Sequence, residues 1–558
     1  MQQLQLLDYI VFLVYFLIVA IYGYWIYHKK KKAVTDSKDF FLAEGALTWW
    51  AIGASLIASN ISAEQFIGMS GSGFKMGLAI ATYEWMAAAT LLVVAIFFMP
   101  IYLKNRIYTM PQFLTQRYNT TVSTIMAVFW LLLYVIVNLT SILFLGALAI
   151  STISGLPLMA CMIGLGVFAI IITLGGMKVI GYTDVIQVFF LTLGGLATTY
   201  LALELVSDHY NTTGVMKGFM IMFDRAEDHF TMVFDQSNPN YLDLPGLTIL
   251  LGGMWIVNLN YWGCNQYITQ RALGADLPTA RNGILFAAFL KLIMPVIVVL
   301  PGIAAYVLYQ EGMFQQEMLG TDDVLNPDRA YPVLLNLLPV GLKGLAFAAL
   351  TAAIVASLAG KANSISTIYT LDIYKKFINK DATERHLVMI GRIAIVVSMF
   401  LAGLIAPFMG IDKKGGFQYI QEYTGFVSPG IFAIFILGFF WKRTTAKAAL
   451  VAALVTFPLS LLFKFLPNFV DVTLLSKYGF AARNPESAIY EIPFIDRMGF
   501  VFLIVVALMV VISLLDPKSK NNPRGLQIDS SMFKTHPAFT IGAVVVVVIL
   551  TILYAVFW

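Results

Sequence analysis

The sequence predicts an all-α polytopic membrane protein with fourteen transmembrane helices, two of which are broken. Hydrophobic residues make up 59% of the 558 residues and charged residues only 12%, and the mean hydropathy is +0.80. Apolar segments recur along the whole chain, and short polar segments interrupt two of them. This composition is typical of a chain that crosses the bilayer many times.

Each predicted span has about the 20 residues that a helix needs to cross a hydrocarbon core roughly 30 Å thick. The ninth is longer, which indicates a helix that is tilted or projects beyond the bilayer. The windows are 6–27, 48–70, 77–103, 123–152, 157–175, 182–205, 247–270, 283–309, 341–372, 387–408, 417–440, 446–465, 497–515 and 538–557.

The two polar interruptions run from Ser59 to Gln65 and from Asn258 to Gln266. Lipid cannot satisfy polar groups, so such segments survive only against protein or a water-filled cavity. They lie five spans apart, an odd separation, so the two segments cross the membrane in opposite directions. Paired broken helices of opposite direction are typical of inverted repeats and mark a transporter's binding site.

Basic residues in the loops predict the orientation of the chain. Five lysines follow the first span, which places that loop in the cytoplasm and the N-terminus outside. These are Lys29, Lys30, Lys31, Lys32 and Lys38. Fourteen spans return the C-terminus to the outside of a cell inner membrane or plasma membrane. The first span has no cleavage site of the signal-peptide type, so it is expected to be retained.

Other function classes lack their signatures in this chain. The net charge of +5 is scattered among loops and forms no basic face for nucleic acid. The five histidines are not deep in any span, and no metalloprotease or serine-hydrolase motif occurs. No cofactor or resident metal is expected, and the chain is not expected to be an enzyme. The sequence is silent on oligomeric state.

Ionisable residues inside predicted spans are costly to bury and are therefore candidates for function. The alternatives are an end-of-helix charge that reaches the interface or a structural ion pair. The first alternative is favoured for Arg392 and stays open for Asp184. Neither Glu84 nor Lys291 reaches an interface easily, which favours a shared polar site. The full set is Glu64, Glu84, Asp184, Lys291, Lys361, Arg392 and Glu422.

A carboxylate, an ammonium and several amides together suit a neutral polyhydroxylated ligand, because they donate to and accept from hydroxyls. Gln65, Asn258 and Gln421 supply the amides, although a buried amide can equally tie two helices together. Tyr261 and Trp262 lie within the second interruption, where an aromatic ring can stack on the apolar face of a sugar. Ordinary packing is the alternative for Tyr261.

Four segments of the chain closely resemble the sodium:solute symporter family, and within it the bacterial sodium/galactose symporters. The segments are ASLIASNISAEQFIGMSGSGFKMGLAIATYEW (54–85), NLNYWGCNQYITQR (258–271), FQYIQEYTGFVSP (417–429) and FWKRT (440–444). The resemblance implies a five-plus-five inverted-repeat core with a broken first helix in each repeat. The first repeat is 48–205 and the second is 247–440. Peripheral helices are expected at 6–27 and within 446–557.

The resemblance also implies roles for particular residues. Residues that would hold the sugar are Gln65, Glu84, Asn258, Lys291 and Gln421. Tyr261 would stack on the ring as an inner gate beside Trp262, with Asn60 bonded to it. Met69, Tyr83 and Phe417 would form an outer apolar lid. Ala87 replaces a serine that contacts sugar in that group, which leaves the identity of the hexose open.

A sodium site is implied at the carbonyls of Ala58, Ile61 and Ala353 and at a pair of serines. The chain has Ala356-Ser357 at that pair, so one hydroxyl is missing. Carbonyls near a helix break suit a hard cation, and Asp184 lies close to this site in the expected fold.

Lys361 follows Ser357 by four residues and lies on the same helical face. Its ammonium either mimics sodium, which would make transport sodium-independent, or pairs with Asp184 beside a bound sodium ion. The second alternative is favoured, because Ser357, Asp184 and the broken helix all remain.

The predicted function is inward symport of a hexose with sodium by alternating access. Within the transporter class the alternatives are a sodium-independent or proton-coupled carrier and a carrier of a polyol, sialic acid or amino acid. Outside it they are a sugar sensor and a channel. The expected partners are the sugar, Na⁺ and the lipid bilayer.

Overall fold

The computed structural model describes most of the chain as helix. Structure is described for residues 4–29, 47–175, 177–320, 324–408, 416–485, 487–526 and 528–558. Lys30, Lys31, Lys32 and Lys38, on which the predicted orientation depends, lie outside these ranges. Within the ranges, the only strands are the short antiparallel pair β1 (Ala482–Arg483) and β2 (Tyr490–Glu491).

The helices of the first part of the chain run from the N-terminus to the loop that follows α11. They are α1 (Leu6–Lys29), α2 (Trp49–Asn60), α3 (Ser70–Met76), α4 (Thr82–Val93), α5 (Met99–Lys104), α6 (Met110–Arg117), α7 (Thr120–Leu132), α8 (Thr140–Ser154), α9 (Leu158–Thr173), α10 (Met177–His209) and α11 (Val215–Arg225).

The remaining helices begin after that loop. They are α12 (Thr248–Leu251), α13 (Gly253–Gly263), α14 (Gln266–Leu273), α15 (Leu277–Val298), α16 (Leu300–Gln310), α17 (Ala330–Leu335), α18 (Leu342–Thr367), α19 (Glu384–Ile405), α20 (Gly416–Gly425), α21 (Ser428–Phe440), α22 (Ala446–Phe465), α23 (Thr473–Ser476), α24 (Phe494–Leu515) and α25 (Pro537–Val556). Wider π-helical turns join several of them, at Glu64–Met69, Val94–Phe98, Leu133–Leu139 and Ile368–Ile378.

Many of these helices are apolar and long enough to cross a membrane. Among the described residues, nine helical stretches meet both conditions, and three shorter apolar helices accompany them. The structure is therefore that of a helical membrane protein, as the composition predicts. The count of fourteen spans and the boundaries of the two repeats stay predictions.

Burial separates a central helix from a peripheral one. In the stretch Leu342–Ile378, which contains α18, 89% of the most apolar window is buried, against 11% in α25. At the centre, α2 packs closely on α15, since a Cβ added to Gly53 would lie 2.6 Å from the carbonyl oxygen of Gly283. Small residues permit this approach of two helix backbones.

The first helix break lies where the sequence predicts it. Helix α2 ends at Asn60, and Ile61 is extended, with φ −79° and ψ 107°. Side chains then replace the lost helical hydrogen bonds. The hydroxyl of Ser62 accepts from the amide of Glu64 at 3.1 Å, and Gln65 Oε1 accepts from the amide of Ser62 at 3.0 Å. The polar sequence is thus what stabilises the break.

The second break is shorter than predicted. The predicted interruption began at Asn258, but α13 continues through it to Gly263, and the chain leaves the helix only at Cys264 and Asn265. The reason is local, because Asn258 Nδ2 donates to the carbonyl of Met254, one turn earlier in the same helix, at 3.2 Å. The side chain of Asn265 then caps α14 by accepting from the amide of Tyr267 at 3.2 Å.

Candidate binding site

A cavity in the middle of the bundle brings together residues from both broken helices and from the helices around them. The space between its lining residues, open solvent included, is about 810 Å³. Its wall contains all six residues predicted to bind substrate, namely Gln65, Glu84, Asn258, Tyr261, Lys291 and Gln421.

Glu84 of α4 and Lys291 of α15 form a buried ion pair in this wall. Their side chains are only 4% and 1% exposed, and the ammonium of Lys291 contacts Glu84 Oε2 directly. The same ammonium donates to Asn60 Oδ1 and lies 5.2 Å from the centroid of the Trp262 ring. An ammonium has three protons and a carboxylate about four acceptor positions. Both groups therefore retain hydrogen-bonding capacity for a ligand.

Asn60, the last residue of α2, connects the two broken helices. Besides accepting from Lys291, it donates from Nδ2 to the hydroxyl oxygen of Tyr261 in α13, at 3.2 Å. The ring of Tyr261 meets that of Trp262 edge to face, with centroids 5.2 Å apart. The end of α2 thus holds both the charged pair and the aromatic residue expected to act as a gate.

The amides of the wall are partly engaged with the protein itself. Gln65 Oε1 accepts from Ser62, and Asn258 Nδ2 donates within its own helix. Gln421 lies on α20, where its neighbour Glu422 is held at 3.0 Å by Lys464 and at 2.9 Å by Arg497. These peripheral cations fix α20 against the bundle and so position Gln421 in the wall.

Two of the three predicted lid residues meet over the cavity. The rings of Tyr83 and Phe417 pack edge to face with centroids 4.9 Å apart, and both line the wall. Met69 is fully buried and, among the residues described, is not part of that wall. Phe417 packs on the main chain at Gly68 instead, where an added Cβ would lie 2.9 Å from the amide nitrogen of Phe417.

Several polar wall residues were not singled out from the sequence. Asn138 lies in the π-helical segment after α7, and an amide in the middle of an apolar span is a signal that could have identified it. Asn260 donates to the hydroxyl of Ser428 at 3.1 Å and so ties α13 to α21. The remaining polar members missed in the sequence are Asn265 and Thr424.

Three of the residues expected to bind sodium, Ala58, Ile61 and Ser357, meet at the same end of α2. The hydroxyl of Ser357 in α18 lies 3.3 Å from the carbonyl oxygen of Ala58, 3.1 Å from that of Ser59 and 3.3 Å from that of Ile61. A hydroxyl has one proton to donate, so three converging carbonyls leave acceptors in excess. Such a group of oxygens suits a hard monovalent cation. The Ser59 carbonyl was not anticipated.

Two alanines of α18 lie close to Ser357 in the helix. Ala353 and Ala356 are 2% and 1% exposed, the first one turn before Ser357 and the second adjacent to it. Ala356 has a methyl group where the family resemblance led us to expect a second serine hydroxyl. The donor set in the structure is therefore three carbonyls and one hydroxyl.

Asp184 faces a different part of α2. Its Oδ2 accepts from the hydroxyl of Ser55 at 2.6 Å, and Arg271 Nε donates to that same hydroxyl at 2.9 Å. Oδ1 of Asp184 is buried without a hydrogen-bond partner among the described atoms. Asp184 thus lies beside the helix that carries the carbonyls but interacts with the turn before them.

The expected pairing of Lys361 with Asp184 is wrong. Asp184 is engaged by Ser55 and has Arg271 as its nearby positive charge, whereas the charge that acts on Lys361 is that of Glu64. The ammonium of Lys361 lies 4.8 Å from the ring centroid of Tyr267. The four-residue spacing places Lys361 on the same face of α18 as Ser357. That face is directed at the first break and not at α10, which carries Asp184.

Comparisons with known proteins agree with this architecture. The family model described as sodium:solute symporter family matches residues 40–456. A protein named sodium/glucose cotransporter, from Vibrio parahaemolyticus, is 47% identical over 100% of this chain and 99% of its own length. One named sodium/myo-inositol cotransporter 2, from Oryctolagus cuniculus, is 31% identical over 92% of this chain and 77% of its own length.

A solved structure has a similar fold. It is titled as a substrate-bound outward-open state of a Na⁺-coupled sialic acid symporter. The TM-score is 0.74 at 20% identity, and the match covers 92% of this chain and 98% of that one.

Proposed function

The chain belongs to the sodium:solute symporter family, and from that premise we propose that it carries a hexose into the cell together with sodium. The observation that carries this proposal is the shared end of α2. Asn60 contacts Lys291 and Tyr261 of the cavity, while the neighbouring carbonyls of Ser59 and Ile61 face Ser357. A cation at these carbonyls and a neutral ligand in the cavity would therefore both depend on the consecutive residues Ser59, Asn60 and Ile61.

The cavity suits a sugar by its chemistry. Glu84 accepts from hydroxyls, Lys291 donates to them, and the amides of Gln65 and Gln421 do both. The ring of Tyr261 offers an apolar face to a pyranose. A fixed anionic substrate such as a sialic acid would meet the carboxylate of Glu84 in the same wall, which disfavours it. The relative at 47% identity is named for glucose, which supports the hexose.

Coupling would follow from two conformations of different affinity. Sodium at the carbonyls of Ala58, Ser59 and Ile61 and at the hydroxyl of Ser357 would hold the end of α2 against α18. That arrangement keeps Asn60 in place for Lys291 and Tyr261, and so completes the sugar site. Coupling of this kind acts through the populations of two states and needs no contact between sodium and sugar. No bond is made or broken, so the protein is a carrier rather than an enzyme.

The finer architecture belongs to the same proposal. Fourteen spans would form a five-plus-five core with repeats at 48–205 and 247–440, and the breaks at Ile61 and Cys264 would be equivalent. The two termini would lie outside the cytoplasm. The protein would be placed in the cell inner membrane or plasma membrane, multi-pass. The fold shared with a Na⁺-coupled symporter at a TM-score of 0.74 supports this arrangement.

A cyclic polyol is the second candidate substrate. Relatives at 30–34% identity are named for myo-inositol, and a polyol ring presents hydroxyls to the same groups. The wall also has Ala87, which removes one potential hydrogen bond to a sugar. That loss corresponds to about 0.5–1.5 kcal/mol, or roughly three- to twelvefold in affinity.

The test is uptake into proteoliposomes. Radiolabelled glucose, galactose and myo-inositol would each be offered with an inward sodium gradient, and potassium and proton gradients serve as controls. We expect accumulation of a hexose above its external concentration only with sodium. Uptake that ignores sodium would refute the coupling, and accumulation of myo-inositol alone would replace the hexose by the polyol.

A further inference from the structure

A second pair of opposite charges lines the cavity besides Glu84 and Lys291. Glu64 begins the helical segment after the first break, and Lys361 lies in α18; they are 9% and 3% exposed. Each is the opposite charge that acts on the other. Unlike Glu84 and Lys291, these two described side chains are not in direct ion-pair contact, so their charges interact across the cavity wall.

Lys361 lies close to the oxygens expected to bind sodium. It follows Ser357 by four residues in a continuous helix, hence on the same face and about 6 Å further along the axis. The Ser357 hydroxyl is itself within 3.3 Å of the three carbonyls at the end of α2. The ammonium of Lys361 must therefore oppose the binding of a cation there. At an effective dielectric constant near 20, repulsion between two unit charges about 6–12 Å apart corresponds to roughly a 10- to 100-fold change in affinity.

Glu64 provides the opposing effect. It lies three residues after Ile61, on the segment that bears the carbonyls, and its amide donates to Ser62 within the break at 3.1 Å. Its carboxylate accepts a long hydrogen bond of 3.4 Å from the Ser141 hydroxyl. Asp184 accepts from the hydroxyl of Ser55, to which Arg271 also donates. Glu64 is therefore the carboxylate placed to offset Lys361.

From these positions we infer that Glu64 and Lys361 determine the sodium affinity of the transporter as an opposed pair. Glu64 strengthens cation binding at the end of α2, and Lys361 weakens it, so that the ion can leave on the cytoplasmic side. Neither residue is a sodium ligand; both act through the field at the carbonyls and at Ser357. This inference rests on the proposed function, because it presumes a sodium ion at that place.

The experiment measures sodium directly and not only transport. Binding of radiolabelled ²²Na⁺ to the purified full-length protein is compared for wild type, Lys361→Met, Glu64→Gln and the double variant, together with the sodium concentration for half-maximal uptake. Lys361→Met should bind sodium 10- to 100-fold more tightly, and Glu64→Gln should bind it more weakly by a similar factor. The double variant should return to within about threefold of wild type.

The matched control is Arg392→Met, which removes a positive charge from the exposed face of α19 and should leave sodium affinity unchanged. Shifts of the same sign for Lys361→Met and Glu64→Gln would overturn the inference, as would an unchanged affinity in a Lys361→Met protein that melts like wild type. If Lys361→Met does not fold, Lys361→Gln takes its place with the same expectation. Absence of ²²Na⁺ binding and of sodium-driven uptake in the wild type would instead refute the proposed function.

Discussion

Neutralising either charge of the Glu84–Lys291 pair should lower both the stability of the protein and its affinity for sugar. Neutralising both charges should restore the stability but not the affinity. Each side chain is 4% exposed or less, so Glu84→Gln or Lys291→Met leaves one buried charge without its partner. Such a loss destabilises a protein by about 3–5 kcal/mol. Replacing both charges at once is often neutral, because no charge stays buried alone.

Sugar binding should respond differently in the double variant. Charge-assisted hydrogen bonds contribute about 1.5–3 kcal/mol each, so the loss of one corresponds to roughly a 10- to 150-fold weaker affinity. The single variants should show this loss together with a lower melting temperature in detergent. The double variant should regain most of the melting temperature and still bind sugar poorly.

The assay is a thermal melt of each purified protein beside equilibrium binding of radiolabelled glucose and galactose. Asp372→Asn serves as the comparison, because Asp372 is also a buried carboxylate in an ion pair, 3.0 Å from Lys376, but it does not line the cavity. If the double variant recovered sugar affinity along with stability, the pair would be structural and the binding role of Glu84 and Lys291 would be wrong.

Three further expectations are independent of that pair. Ala87→Ser should tighten galactose binding three- to twelvefold without altering the sodium dependence of uptake. If the variant bound galactose no more tightly than wild type, the side chain at position 87 would not contact the sugar. Ala356→Ser should add an oxygen at the proposed sodium site and lower the sodium concentration for half-maximal uptake, and a higher concentration would contradict the placement of the ion. Gly53→Ala should destabilise the fold by about 1–3 kcal/mol, because its Cβ would lie 2.6 Å from the Gly283 carbonyl, whereas Gly164→Ala, where no atom lies within 4 Å, should melt like wild type.

The first helix break was predictable because its stabilising groups are side chains. Ser62 and Gln65 take over main-chain hydrogen bonds there, and polar residues in an apolar span are visible in the sequence. The second break was predicted too early, since an asparagine can also bond to its own helix. Asn258 does so with Met254, and composition does not distinguish that use from a broken helix.

The partner of Lys361 could not be obtained from spacing. A four-residue interval fixes the face of α18 that Lys361 shares with Ser357, but it does not say which neighbouring helix that face meets. Asp184 and Glu64 were both carboxylates within predicted spans, and only the packing of the helices decides between them. The Ser59 carbonyl was missed for a related reason, because a main-chain oxygen has no sequence signature.

The oxygens around Ser357 have an evolutionary consequence. Three of them belong to the main chain of Ala58, Ser59 and Ile61, and no single codon change can delete a carbonyl. At this proposed sodium site, ion dependence would therefore change through substitutions at neighbours that carry no ligand atom, such as Ala356 and Lys361, while the main-chain oxygens are retained. A lineage could lose and regain its dependence on sodium without rebuilding the fold.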